Sequence, residues 1–164
     1  VLDRVFGDRP AGYLEQLGAT LNATIDIFWT GEEVCAREIS PGHLRKVEAL
    51  LQRKPLLWDN YPVNDSAAMA PFLHIGPFHD RPPGLLDNLA GHAVNPMNQP
   101  ALSALVLRSL ADSYKLGVDY QPAQALLTAC SGLKNDALAK ALVKDQPTFH
   151  LLNIKIAFAP LMMK

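Results

Sequence analysis

Three short apolar runs, separated by stretches of helical periodicity, set the tightest limit on what this chain can fold into. They are Ala23–Trp29 (ATIDIFW), Pro55–Asn60 (PLLWDN) and His92–Asn95 (HAVN). Their apolar, β-branched and aromatic content is that of short strands buried on both faces. Between them, apolar residues recur at spacings of three and four, which gathers them on one face of a helix. Tyr13, Leu14, Leu17 and Leu21 do this between Pro10 and Asn22. Leu44, Val47, Leu50 and Leu51 do it after Ser40-Pro41, a serine N-cap with proline in the first helical position. Lys54-Pro55 stops that helix. A short helix is predicted near Gly84–Leu89 and a long one from about Gln99 to Tyr114 on Leu102, Leu105, Val106, Leu110 and Tyr114. Two more are predicted at Pro122–Gly132 and Asn135–Lys144, and the last twenty residues read equally as strand or helix. Strands alternating with helices imply an α/β fold with parallel strands and right-handed crossovers.

Ligand groups in such folds collect where strands end. The ends here are Trp29-Thr30-Gly31, Trp58-Asp59-Asn60 and Asn95-Pro96. Two tryptophans and two asparagines converging at one end predict a carbohydrate site. Aromatic faces cover the apolar side of a sugar, and amides and carboxylates bond its hydroxyls. The loop from Tyr61 to about Pro83 is long enough to expect a functional role.

Composition removes other classes. Fifteen Lys+Arg against sixteen Asp+Glu leave a net charge of -1, so neither a nucleic acid nor an anionic membrane is expected as partner. No apolar run approaches the roughly 20 residues of a membrane span. Two cysteines build no disulfide framework. No signal peptide is evident, which favours a cytoplasmic location, although a start at Val1 also fits a piece of something longer. Asp59 and Asp65 form the one close acidic pair after a strand, but six residues of loop leave their separation open. A turn-capping Asp59 and a solvated Asp65 are the simpler expectation. His74 and His79 lack the partner ligands of a metal site, Cys35 reads as a buried inert thiol, and no cofactor is expected. Arg37, Arg45, Lys46, Arg53 and Lys54 read as a solvated basic face. Asn22-Ala23-Thr24 and Asn64-Asp65-Ser66 match the glycosylation acceptor pattern by chance.

Four stretches carry a more specific signal: IFWTGEEVCAREI, RKPLLWDNYPVND, LHIGPFHDRP and GHAVNPMNQPALS. Over roughly residues 10–130 they resemble the glycoside hydrolase family 84 catalytic domain of O-GlcNAcases and hyaluronidase-like β-N-acetylglucosaminidases. The resemblance implies the last three or so strands of a (β/α)8 TIM barrel in residues 1–117, and the start of a helical region in 118–164. It implies retaining hydrolysis of β-linked N-acetylglucosamine, with the substrate's own acetamido oxygen as nucleophile and an adjacent Asp-Asp pair assisting. No Asp-Asp dipeptide occurs in this sequence, so no catalytic residue is assigned. What is implied is part of the sugar-binding wall. Asp65 and Asn95 would hold outer hydroxyls, Asn60 would lie near the acetamido group, and Trp58 would line the acetamido pocket. The partner would be a glycan or glycoprotein carrying N-acetylglucosamine. Glu32 stands where the family usually has proline. A barrel needs roughly 200–250 residues, so a truncated homologue or fragment is expected. Its open strand edges would lead to self-association, completion by another segment, or poor stability. A noncatalytic carbohydrate-binding or interaction module, and a decayed fragment without function, are the alternatives.

Overall fold

A computed structural model describes residues 7–133, 140–142 and 144. The chain divides into two compact units, Val1–Asn60 with Asp80–Val94, and Tyr61–His79 with Asn95–Lys164.

The first unit is α/β. It contains α1 (Tyr13–Thr20), β1 (Phe28–Trp29), α2 (Pro41–Leu51), β2 (Leu56–Asp59), a 3-10 turn (Leu85–Asn88) and β3 (Gly91–Val94). The strands form one sheet in the order β1-β2-β3, all parallel, as the alternation predicts. α2 starts where the sequence places it: Ser40 caps it by accepting from the His43 N–H at 3.1 Å, and Pro41 follows. Leu44, Val47 and Leu51 of α2 are buried, as are Leu57 of β2 and Leu85.

Register sorts the strand side chains. Phe28 pairs with Leu56, and Leu56 with Gly91. Because side chains alternate across a strand, Phe28, Leu56, Trp58, Gly91 and Ala93 share one face. Trp29, Leu57, Asp59, His92 and Val94 share the other.

The first strand is much shorter than the run Ala23–Trp29 predicts, and it is not buried on both faces: Phe28 is 53% exposed. The cause lies in the backbone of residues 22–25. Asn22 folds the chain into a turn, its side-chain oxygen accepting from the N–H and hydroxyl of Thr24 and its carbonyl from the Ile25 N–H. Arg53 then takes the carbonyls of Gly18, Leu21, Asn22 and Ile25, as well as Leu51. Carbonyls turned toward one guanidinium cannot serve a sheet ladder. The same bonds remove Arg53 from the solvated basic face expected of it.

The second unit holds the loop Tyr61–His79, α3 (Pro100–Leu116), a 3-10 turn (Gly117–Asp119) and α4 (Pro122–Ser131). α3 buries Leu105, Val106 and Leu110 beside Ser103, Ser109 and Ser113, and α4 buries Ala125, Leu126, Ala129 and Cys130. Ser109 also anchors the loop, accepting from the Phe78 N–H at 2.8 Å while donating to the Val106 carbonyl. Tyr120 donates to the Phe78 carbonyl and Tyr61 to that of Gly76. The predicted helix Asn135–Lys144 and the last twenty residues lie largely outside the described residues.

His74 stacks on Tyr61 at 6.3 Å, is 5% exposed, and leaves its Nε2 without a hydrogen-bond partner among the described residues. Burial pushes its pKa below the ordinary histidine value, against the opposing effect of hydrogen bonds with the Val63 and Pro62 backbone. An unfolded histidine takes up a proton near pH 6.5. The native state resists that proton, so this contribution to stability is complete above about pH 6.5 and is lost as pH falls toward the folded value. Urea midpoints should therefore drop between about pH 7.5 and pH 5.5, and His74→Phe should flatten that drop.

Gly18 of α1 packs directly on α2: a Cβ there would sit 2.5 Å from the Leu51 carbonyl carbon. Alanine is the better helix former by about 1 kcal/mol, so helix propensity alone favours Gly18→Ala. The clash is with backbone and cannot be relieved by a rotamer. Gly18→Ala should lower stability by about 1–3 kcal/mol in urea denaturation.

Candidate functional site

The chemistry of the first unit concentrates where β2 ends. Trp58 and Asp59 are neighbours on opposite faces of the sheet. Trp58 is 39% exposed, and its ring meets Phe28 edge-to-face at 5.2 Å. Asp59 is 2% exposed. Its two oxygens take a bidentate fork from Arg81, Nε at 2.7 Å and Nη2 at 2.8 Å, and His92 Nε2 lies 3.2 Å from Oδ2. Arg81 spends its other donors on the carbonyls of Ala36 (3.1 Å), Arg37 (2.8 Å) and Asp80 (3.3 Å).

Desolvation pushes the Asp59 carboxyl up, but hydrogen bonds from Arg81 and His92 and their charges outweigh it and hold its pKa below the ordinary carboxylate value. Asp59 is thus a fixed anion, not the turn cap its sequence context suggests. With its oxygens so engaged it is a poor general acid or base.

Asn60 follows at the strand tip, half-buried. Its Oδ1 accepts from the Trp58 indole at 2.8 Å, and its Nδ2 donates to the Val34 carbonyl at 2.7 Å. The amide therefore has a set polarity. Trp29 does not join Trp58 as the sequence reading expects. It lies on the other face, its indole donating to His43 Nε2 at 2.9 Å. That bond leaves the His43 proton on Nδ1, which lies 3.3 Å from the Glu32 carboxylate. Glu32 thus braces the Trp29–His43 contact.

In the second unit, Asp65 is exposed and Asn95 half-buried. Between them in importance stands Asn64, fully buried. Its Oδ1 accepts from the Asn98 N–H at 2.9 Å. Its Nδ2 donates to the Phe72 carbonyl at 2.9 Å and to Gln99 Oε1 at 2.8 Å. One amide thereby ties the segment carrying Asp65 to the segment that follows Asn95. A glycan acceptor role for Asn64 is incompatible with that burial.

Arg81, His92 and Asn64 escape a reading of the sequence. One signal was available: an aspartate inside a buried-type strand requires a cation from elsewhere in the chain. Cys35 is half-buried rather than buried. Cys130 is buried, and desolvation pushes its thiol up. Among the described residues no group of three His, Cys, Asp or Glu is gathered to hold a metal.

In α/β folds ligands gather outside the carboxyl ends of parallel strands, and the end of β2 carries an exposed indole and an oriented amide. A family model described as beta-N-acetylglucosaminidase matches residues 3–145. The protein O-GlcNAcases of Rattus norvegicus and Mus musculus are each 32% identical over 103 residues, covering 63% of this chain and 11% of their own length. A solved structure of a Thermobaculum terrenum O-GlcNAc hydrolase variant shares 41% identity and a TM-score of 0.75, covering 82% of this chain and 29% of that one. CpGH84B shares 26% identity and a TM-score of 0.70, over 88% of this chain and 24% of its own. The chain belongs to the beta-N-acetylglucosaminidase family, and matches the C-terminal part of a glycoside hydrolase family 84 catalytic domain. It spans a small part of the relatives it matches.

Asn64→Asp should be severe, because a carboxylate would face the two acceptors Phe72 O and Gln99 Oε1 inside the unit. A loss of about 3 kcal/mol or more is expected in urea denaturation. Asp65→Asn, one position on and exposed, should change stability by less than about 0.5 kcal/mol.

Proposed function

We propose that this chain supplies part of the N-acetylglucosamine-binding wall of an O-GlcNAcase-like β-N-acetylglucosaminidase. The observation that carries the reading is the Asn60 amide, fixed in polarity beside the exposed Trp58 at the end of β2, in a chain of this family. Trp58 offers an aromatic wall to the acetamido methyl, and Asn60 a fixed donor and acceptor to the polar atoms near it. Asp65, exposed, gives oxygen acceptors to sugar hydroxyls, with Asn95 supplying a second amide. The substrate's acetamido oxygen attacks the anomeric carbon as the glycosidic C–O bond breaks. The aglycone oxygen takes a proton to leave as an alcohol, and the acetamido N–H gives one up to leave an oxazoline. Water then adds at the anomeric carbon, returning the proton to nitrogen and releasing N-acetylglucosamine with net retention, one of the exceptions to the two-carboxylate scheme. The acid/base aspartate and its neighbour are not assigned to these residues. On this reading β1, β2 and β3 are consecutive staves of a (β/α)8 barrel, and residues 118–164 open a helical region. The partner is a glycan or glycoprotein bearing N-acetylglucosamine, and the outer strands β1 and β3 are where any self-association would form.

Calorimetry with an oxazoline-mimicking inhibitor should show binding to the chain, weakened at least about tenfold, or about 1.4 kcal/mol, by Asp65→Ala. No turnover of 4-nitrophenyl N-acetylglucosaminide is expected from these 164 residues. Absence of any binding heat overturns the reading. Turnover that disappears in Asp65→Ala would move that carboxylate from holding the sugar to the chemistry itself. Binding without turnover in the native gene product would mark a noncatalytic carbohydrate-binding module.

A further inference from the structure

We propose that Arg81 is a positioning residue for the Asn60 amide, acting by closing a ring of contacts around it. The proposal gains its catalytic meaning from the reading of Asn60 as a sugar ligand, but the geometry stands on its own.

An asparagine amide at the end of a strand can rotate, and half a turn exchanges its donor and acceptor ends. Two groups of opposite character prevent this. The Trp58 indole only donates, and the Val34 carbonyl only accepts. Trp58 is held by its place in β2. Val34 has no such support, since residues 30–40 contain turns and bends and no helix or strand. Something must hold that carbonyl in place.

Arg81 does so. Its guanidinium binds the carbonyls of Ala36 and Arg37, two and three residues beyond Val34. The adjoining Asp80 carbonyl accepts from the Ile39 N–H at 3.2 Å, fixing the far end of the same segment. The same guanidinium forks onto Asp59, the residue immediately before Asn60. The path is therefore closed, from Arg81 to Asp59, along the chain to Asn60, across its amide to Val34, along the loop to Ala36 and Arg37, and back to Arg81. Both members of the ion pair are buried, so Arg81 acts on a ligand only through this ring. A lysine would keep the charge but not the planar fork that spans a carboxylate and two carbonyls.

A purely stabilising role is the rival. Arg53 provides the comparison, because it binds five carbonyls in the same unit, none of them in residues 30–40 or at the end of β2. The experiment is hydrogen exchange by NMR on the full 164-residue chain, following the Asn60 Nδ2 and Trp58 Nε1 protons, assigned through Asn60→Ala and Trp58→Phe. Arg81→Lys should speed exchange of both at least about tenfold while the spectrum stays dispersed, and Arg53→Lys should leave both rates unchanged. Should Arg81→Lys fail to fold, the pair Asp59→Leu with Arg81→Met removes both buried charges together and carries the same expectation. Unchanged rates in a folded Arg81 variant, or equal acceleration in Arg53→Lys, overturn the proposal. No sugar is needed, so a chain that fails to bind the inhibitor refutes Asn60 as a ligand without touching the ring, and unchanged exchange does the reverse.

Discussion

The first unit is organised around one buried negative charge. Asp59 lies inside a parallel sheet on the face that also carries Leu57 and Val94. An ion there is costly to desolvate and stays only if its partners are arranged with good geometry. Arg81 meets that demand with a fork, and His92, reached from the adjacent strand, adds a third contact. Once Arg81 is drawn in, its remaining donors must also be satisfied. The nearby acceptors are backbone carbonyls of the loop after β1, so satisfying the charge orders that loop. Order in a segment without secondary structure thus follows from the electrostatics of one strand residue.

The second unit solves a similar problem with neutral groups. The loop Tyr61–His79 has no helix or strand to satisfy its backbone, yet Asn64, Ile75 and Phe78 within it are almost fully buried. Side chains replace the missing ladder: Asn64 takes an N–H and a carbonyl, Ser109 takes the Phe78 N–H, and Tyr61 and Tyr120 cap carbonyls. Asp65 needs no such bonds, because it borrows its placement from Asn64 beside it.

How much of this was legible depends on whether the controlling interaction is local. α2, β2, β3, α3 and α4 were legible because a Ser-Pro cap, an apolar stripe or a proline stop lies within the element itself. β1 was misread because the groups that bend residues 22–25 include Arg53, 28 residues from Ile25. The opposition of Trp29 and Trp58 follows from register, which period-2 alternation fixes only once the strands are paired. The motif WDNYPVND pointed to Trp58, Asn60 and Asp65, but of the two residues that hold that segment in place Asp59 reads as a turn cap and Asn64 only as a chance glycosylation match.

The contrast bears on what the motif encodes. Within Trp58–Asp65, exposed and buried polar residues alternate in role: Trp58, Asn60 and Asp65 are at least partly open to solvent, whereas Asp59 and Asn64 are closed in. Asp59 spends its hydrogen-bonding capacity on the Arg81 and His92 side chains, Asn64 on Phe72, Asn98 and Gln99, and each is adjacent to an open residue. A buried ion pair contributes little net stability compared with apolar residues of the same shape, so stability alone gives no reason to place an aspartate at position 59. Directionality does. An apolar residue there could fill the volume, but it could not draw a guanidinium into contact with both the strand end and the loop that bonds the Asn60 amide. The segment is therefore better understood as two open polar positions, Asn60 and Asp65, each next to an internal anchor, than as a row of equivalent residues.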